Sequence, residues 1–529
     1  MLINEYARAG DVEGLKAEIQ KNVDLNALDE RGYPPLGSAI RNGSLACIKL
    51  LIEAGANTKY LRDSGYDALI DAIFSDALTV QLVELLIDSG APLNGKSSYG
   101  ESAMRVASNI GRFDVIKLLL ERGADGSDLE WTELMHALVF QDLNACQALV
   151  KKGADLNSRD SWERTPWLLS IIVGDIEKAK MLMESGSDLD DRGRCGKTPF
   201  AYAIENNNLA MLDWLLSIGL DPNMHDDFQN TGLIIAAESG KARCMSLLLN
   251  AGADVHARNQ IGETAIRRAA SLNVAKLLLN AGCELNDIND EVRAELTKLP
   301  HHQKLSVTET EFLQNRARAF GVSNPHKMNN PFWCDMVRSG LNAYQAAAVF
   351  QLPEFIGDEP TWCFERFGKS INELPDGRII EIGGEHEDWY DKDFCIYNDV
   401  VVHYGDGSFD IYGYPESIFP PTDFHTATLV GNHIYIIGNL GYSASIGVTP
   451  IYRLDCKTYE IEQVRASGTA PGWICKHNAK YLAEGQIRIS GGEVYVRQGE
   501  MELLVPNEKN YILCTESLIW SVATDKSLI

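Results

Sequence analysis

The sequence predicts an α + β multidomain protein: an all-α solenoid first, then a helical connector, then an all-β region of repeated sheets. Three observations carry that expectation. A polar turn, usually marked by glycine, returns at a near-constant interval through the first 300 residues. A second glycine closes a leucine-rich segment in the same phase. Beyond Trp362 the apolar period falls to two, and Gly, Tyr and Val become frequent, which is the pattern of half-buried strands.

The stretch from Asp190 to Asn223 shows the first unit in full. Thr198-Pro199 opens a short helix, because proline's fixed φ and missing N–H suit a first helical position. Ala201, Ala203 and Ile204 give that helix a small-residued face against which a neighbour can lie closely. Leu209, Met211, Leu212, Leu215 and Leu216 form the apolar stripe of a second helix, and Gly219 stops it where a left-handed residue is wanted. One unit cannot bury its own stripe, so copies must stack on either side.

Aligned on Gly196, the turn position recurs at Gly32, Gly65, Gly100, Glu130, Glu163, Gln229 and Gly262, in steps of 33, 35, 30, 33, 33, 33 and 33 residues. Gly55, Gly90, Gly123, Gly153, Gly186, Gly219, Gly252 and Gly282 close successive second helices. With Thr165-Pro166, Thr198-Pro199, Gly153-Ala154-Asp155-Leu156-Asn157 and Gly252-Ala253-Asp254-Val255, this resembles the ankyrin repeat. The departures are specific. Tyr33-Pro34-Pro35 and Thr231-Gly232 replace Thr-Pro, and Ser38, Tyr202 or Ala236 stands for the family's histidine. The repeat near Glu130 is short in its turn and the one at Gly262 is short between its helices, so both should bend the stack. Residues 1–31 read as an opening repeat without its turn, and 288–299 as a polar closing helix, giving an array over 1–299 of about nine repeats with caps.

In such an array stacking consumes the apolar residues, which leaves the turn tips and the inner helices for function. The tips carry Tyr33, Tyr66, Tyr99, Trp131, Trp162, Arg164, Arg192, Arg194 and Phe228, with Ile261 beyond them. Solvated turns seldom need so many rings, whereas interface centres favour Tyr, Trp and Arg. The row is therefore expected to bind a partner protein, although individual rings can instead pack on the preceding turn. Trp167 and Trp214 lie inside helices and read as core.

Residues 300–360 lose the period and read as a packed helical connector, with helices expected at Thr308–Phe320, Phe332–Val337 and Asn342–Phe350. His301 and His302 read as a solvated pair. The β region, 361–529, contains three lines in register: Leu374 to Gly384, Leu429 to Asn439 and Leu482 to Gly492. Each is a turn, a strand and then glycine. Tyr397 and Tyr452 each follow Gly383 and Gly438 by fourteen residues, and Tyr404 and Tyr459 follow seven later. This resembles the kelch repeat of β-propellers, in about three blades. Three blades do not close a ring, so the open sheets must be covered by the connector or by a second copy.

A net charge of −26, spread as −14 over residues 1–300 and −12 beyond, argues against nucleic acid and anionic membrane and favours a basic partner. There is no signal-peptide pattern, no apolar run long enough to span a bilayer, and no C-x-x-C pair among eleven scattered cysteines, which places the chain in the cytoplasm. Neither catalytic residues nor cofactors are expected. Glu385, His386, Glu387 and Asp388, followed by Asp391 and Asp393, form the one reactive-looking run, a weak metal candidate that reads first as a solvated acidic loop. His425 and His477 sit thirteen and fourteen residues before their glycines, with Ser370 in the corresponding place of the first unit, and read as strand packing. The expected function is a non-enzymatic scaffold, an adaptor or immunity-type protein by resemblance. The competing class is a metal-assisted hydrolase or isomerase working from the β region with the array as recruiter.

Overall fold

The computed structural model describes residues 2–299, 303–353, 356–357, 359–387, 391–442, 447–498 and 501–523. The chain forms two compact units, Met1–Ala265 and Ile266–Ile529. The division falls inside the stretch that the period assigns to the array.

The first unit is a stack of helix pairs, from Leu2–Ala9 with Val12–Ile19 to Gly232–Glu238 with Ala242–Asn250. Local chemistry sets their ends. Pro35, Pro166 and Pro199 occupy first turns of inner helices. Thr198 Oγ1 accepts the Ala201 N–H at 3.2 Å, and Asp142 Oδ1 accepts the Ala145 N–H at 2.9 Å. Inner helices approach closely because Ala39, Ala72, Ala107, Ala137, Ala203 and Ala236 are fully buried at their contacts. Each turn is capped from within. Asp29, Asp160 and Asp226 accept the N–H groups two and four residues on, at 2.8 to 2.9 Å. The marker position requires a left-handed backbone whatever its residue: Gly32 has φ 76°, and Glu130, Glu163 and Gln229 have φ 56°, 59° and 61°.

The short step before Glu130 breaks the regular stack. A 3₁₀ turn, Gly126–Leu129, replaces the hairpin and packs against Ala103–Asn109, while Glu133–Phe140 packs against Pro166–Val173. Residues from Ile3 to Leu129 form a core of their own, with Trp131 at its edge. Groups on either side of the short repeat then meet. A Cβ at Gly111, just past Ala103–Asn109, would come within 3.0 Å of Ile172 Cγ2 and 2.8 Å of Asn206 Oδ1.

In the second unit the last repeat is represented by the helix Leu272–Asn280, followed by Asp290–Thr297. The expected polar closing helix differs from a solvated cap. Its Arg293 is buried, ion-paired to Glu365 and lying 3.6 Å from Glu381, and Asn286 Oδ1 just before it accepts the Ile371 N–H at 2.6 Å. The connector helices are Glu309–Asn315, Pro331–Ser339 and Ala343–Val349, the first of them shorter than expected. His301 and His302 lie outside the described residues.

The C-terminal region is strand-rich and forms several sheets. Three are built on four-stranded antiparallel meanders: Ser370–Glu373, Ile379–Ile382, Val400–His403 and Phe409–Gly413, extended by His326–Lys327 to five strands; then Thr426–Val430, His433–Ile437, Ile451–Asp455 and Ile461–Gln463; then Asn478–Tyr481, Gln486–Ser490, Tyr511–Cys514 and Ile519–Val522, extended to five by the parallel strand Ser467–Gly468. Their first strands lie side by side. Period-two burial does the packing. Ile380, Ile382, Val400 and Val402 meet Ile434, Ile436 and Leu454 between the first two sheets, and Ile437 and Ile451 meet Ile487, Ile489, Leu513 and Trp520 between the last two. The outer face of the first sheet, Val401 and Ile411, is covered by Phe332, Trp333, Met336 and the alanines of Ala343–Val349. The far face of the third sheet carries Gln486, Arg488 and Ser490 together with Ile512, Cys514 and Ile519. The tyrosine spacing misleads. Tyr452 lies within a third strand, whereas Tyr397 precedes one, because the hairpin Glu385–His386 with Cys395–Ile396 is inserted in the first sheet.

Candidate protein-binding surface

The turn tips of the array divide into two columns. Of the residues directly before the marker, three point outward: Tyr99 is 74% exposed, Phe228 52% and Ile261 75%, whereas Leu129 is fully buried and Trp162 half-buried. Residues directly after it tuck beneath. Tyr33, Tyr66 and Trp131 are half-buried, and Arg164 is fully buried. The backbone explains this. The left-handed marker reverses the chain, so its two neighbours leave on opposite sides of the turn, and the second leads into the inner helix.

The tucked rings form a fixed ladder. The Arg62 guanidinium lies 4.2 Å from the Tyr33 ring and 4.9 Å from Tyr66, and Tyr66 sits 6.4 Å from Tyr99. Arg62 is itself held by Asp71, which also accepts the Tyr60 hydroxyl at 2.7 Å. Burial raises the Asp71 pKa despite those donors. The Tyr66 hydroxyl donates to Glu101 at 2.8 Å, and that bond, with partial burial, pushes its pKa up to about 12. Trp131 packs on His136 and Phe140 and donates its Nε1–H to Asp160 at 3.3 Å.

Arg164 is corrected from docking residue to structural tie. Its guanidinium pairs with Asp160, also fully buried, and donates to the Ser108 carbonyl at 2.8 Å, reaching across the short repeat. Trp162, just before the marker, is turned the same way. Its Nε1–H donates to the Arg105 carbonyl at 2.8 Å, and Arg105 returns a bond to Ser161 O at 3.0 Å. Arg192 is a link between turns: Arg159 donates to the Arg192 carbonyl at 2.8 Å, and Arg192 donates to the His225 carbonyl one repeat later. Arg194 alone of the three predicted tip arginines is exposed, with its guanidinium 5.7 Å from the Trp162 ring. Trp167 is fully buried and Trp214 half-buried beside it, at 6.0 Å. Sequence reasoning missed Phe74, 41% exposed and 5.8 Å from Tyr66, because it ends a helix and lies off the turn.

In the second unit, His386 points inward. Tyr397 OH lies 2.8 Å from its Nδ1 and Asp393 Oδ2 lies 3.3 Å from its Nε2. Asp388 lies outside the described residues, and among the described ones no group of three His, Cys, Asp or Glu is placed to hold a metal ion. Glu385 pairs through its strand with Ile396, and Glu387 has φ 59°. Burial raises the pKa of the nearby Asp423, partly offset by the Gly441 N–H and by Glu385.

His425 and His477 join neighbouring sheets. His425 Nε2 lies 2.8 Å from Ser370 Oγ, and His477 Nε2 lies 2.8 Å from Thr426 Oγ1. Strand register places Lys369 in the first sheet where these histidines stand, so Ser370 is the partner of His425 and not its counterpart. Burial drives both imidazole pKa values down to about 3, with His425 adding to the effect on His477.

No helix among the described residues is long and apolar enough to cross a membrane. The model for ankyrin repeats (3 copies) matches residues 3–94, 78–160, 134–226 and 202–289, together more than half of the chain. The chain is 25% identical over 169 residues to the putative ankyrin repeat protein YahD of Escherichia coli, covering 30% of this chain and 83% of that protein. It is 31% identical over 122 residues to the B-cell lymphoma 3 protein homolog of Mus musculus, covering 23% and 27%. It is 29% identical over 140 residues to a putative ankyrin repeat protein of Acanthamoeba polyphaga mimivirus, covering 26% of this chain but only 18% of the viral protein. The turn, the paired helices and the closing glycine thus agree with the sequence match: the chain belongs to the ankyrin-repeat family.

Proposed function

We propose that this chain is a non-enzymatic scaffold that captures a partner protein on the outward tips of its ankyrin turns and the adjoining inner helices. The observation that carries the reading is the outward-facing set Tyr99, Phe228 and Ile261, which leaves large apolar side chains in water on internally capped turns. A preformed surface loses little entropy on docking. Tyr33, Tyr66, Trp131, Trp162 and Arg192 serve as its foundation, with Arg194 at its rim. We read the three meanders as a kelch-like partial propeller, covered on one side by the connector helices. No chemistry is proposed for the Glu385–Asp388 run, since both His386 nitrogens face protein groups. Buried thiols such as Cys47, Cys146 and Cys244 suit a reducing compartment such as the cytoplasm.

Affinity capture from the native cell with the full chain and with Tyr99→Ser/Phe228→Ser/Ile261→Ser tests the surface. The expected result is loss of the captured partner at an unchanged unfolding midpoint, with affinity reduced by about a hundredfold. Undiminished capture by the triple variant overturns the reading.

A further inference from the structure

Resting on the reading above, we propose that the partner docks through segments bearing arginine or lysine side chains, which meet the outward tips at Tyr99 and Phe228. The tucked rings show what the outward ones lack. Tyr33, Tyr66 and Trp162 each carry an arginine of this chain over the ring, at 4.2 to 5.7 Å. Tyr99 and Phe228 expose equivalent π faces, and among the described residues no cation lies over either. A cation from outside completes the same contact.

The charges between the rings have the matching sign. Glu30, Asp63, Glu130, Glu163 and Asp227 are exposed at or within two residues of the markers, against Arg31 and Arg194, with Lys96, Arg159 and Arg258 four residues before theirs. The net charge of −26 gives the wider field the same direction, so a basic segment is steered in and an acidic one or a phosphate backbone is repelled. An apolar partner would use the rings but would gain nothing from the acids, and its binding would be indifferent to salt.

The test uses the full chain and labelled peptides of alternating glycine and arginine, with lysine and glutamate counterparts, followed by fluorescence anisotropy from about 50 to 300 mM salt. The basic peptides are expected to bind, the glutamate peptide not. Tyr99→Ala/Phe228→Ala should weaken arginine-peptide binding by about tenfold. Asp63→Asn/Glu130→Gln/Glu163→Gln/Asp227→Asn should flatten its salt dependence with the unfolding midpoint retained. Equal binding of all three peptides, or of arginine peptide to wild type and both variants, overturns the proposal. A photo-crosslinking residue at position 99 separates this from the broader reading. Crosslinks to an acidic or apolar segment of a captured partner overturn the basic segment and leave the tip surface standing. Crosslinks that form only from sites away from the tips overturn both.

Discussion

Arg164→Met lowers the stability of the helical array by about 3–5 kcal/mol, the cost of leaving a buried carboxylate without its counter-ion. Asp160 and Arg164 are both fully buried, and the guanidinium also satisfies the Ser108 carbonyl across the short repeat. Removing it strands one charge and one acceptor in the core at once. Asp160→Asn keeps the oxygen that caps the Trp162 and Arg164 N–H groups but removes the charge. The double variant Arg164→Met/Asp160→Asn should therefore recover much of the loss. Urea unfolding monitored by tryptophan fluorescence measures both. An Arg164→Met variant with an unchanged midpoint would contradict the tie and return this residue to the list of docking candidates.

Acid should loosen the sheets at a pH where most proteins hold. His425 and His477 are neutral in the folded chain because burial holds their pKa values near 3, whereas in the unfolded chain they titrate near 6.5. Between those values the unfolded state binds more protons, so stability is fully present above pH 6.5 and falls as pH drops toward 3. The slope is about 1.4 kcal/mol per pH unit for each histidine, or about 5 kcal/mol for the pair between pH 6 and pH 4. Hydrogen exchange in peptides covering Thr426–Val430 and Asn478–Tyr481, corrected for intrinsic rates, reads this in the full chain. His425→Gln/His477→Gln should flatten the dependence by two protons. An unaltered slope in that variant would show that the loss belongs to the carboxylates instead.

The helical array was legible because its signals are local and repeated. A glycine at each second-helix end and a polar turn at each marker report backbone demands that do not depend on distant residues. Away from the short repeat, the side of the turn on which a ring falls was also written there, as its position before or after the marker; Trp162 precedes its marker but is tucked in by its bond to Arg105. Tyr99 and Phe228 precede it and face water; Tyr33 and Tyr66 follow it and do not. What could not be read was the partner of Arg164. Ser108 lies 56 residues away, and the two meet because the 30-residue step brings nonadjacent repeats together. In the β region the glycine lines located each second strand, but counting onward from them failed once the inserted hairpin changed the spacing, so Tyr397 and Tyr452 fell in unlike places. The depressed titration of His425 depends on the depth of packing between sheets, which no linear pattern reports.

The bonds that span the truncated repeat give the solenoid a locked elbow. Ordinary repeats set curvature through the shape of their stacked helices, a property spread over dozens of side chains. At this one bend a carboxylate, a guanidinium and an indole fix the angle. The reach of the whole arm can therefore be altered by exchanging two or three residues, with every other repeat left as it is.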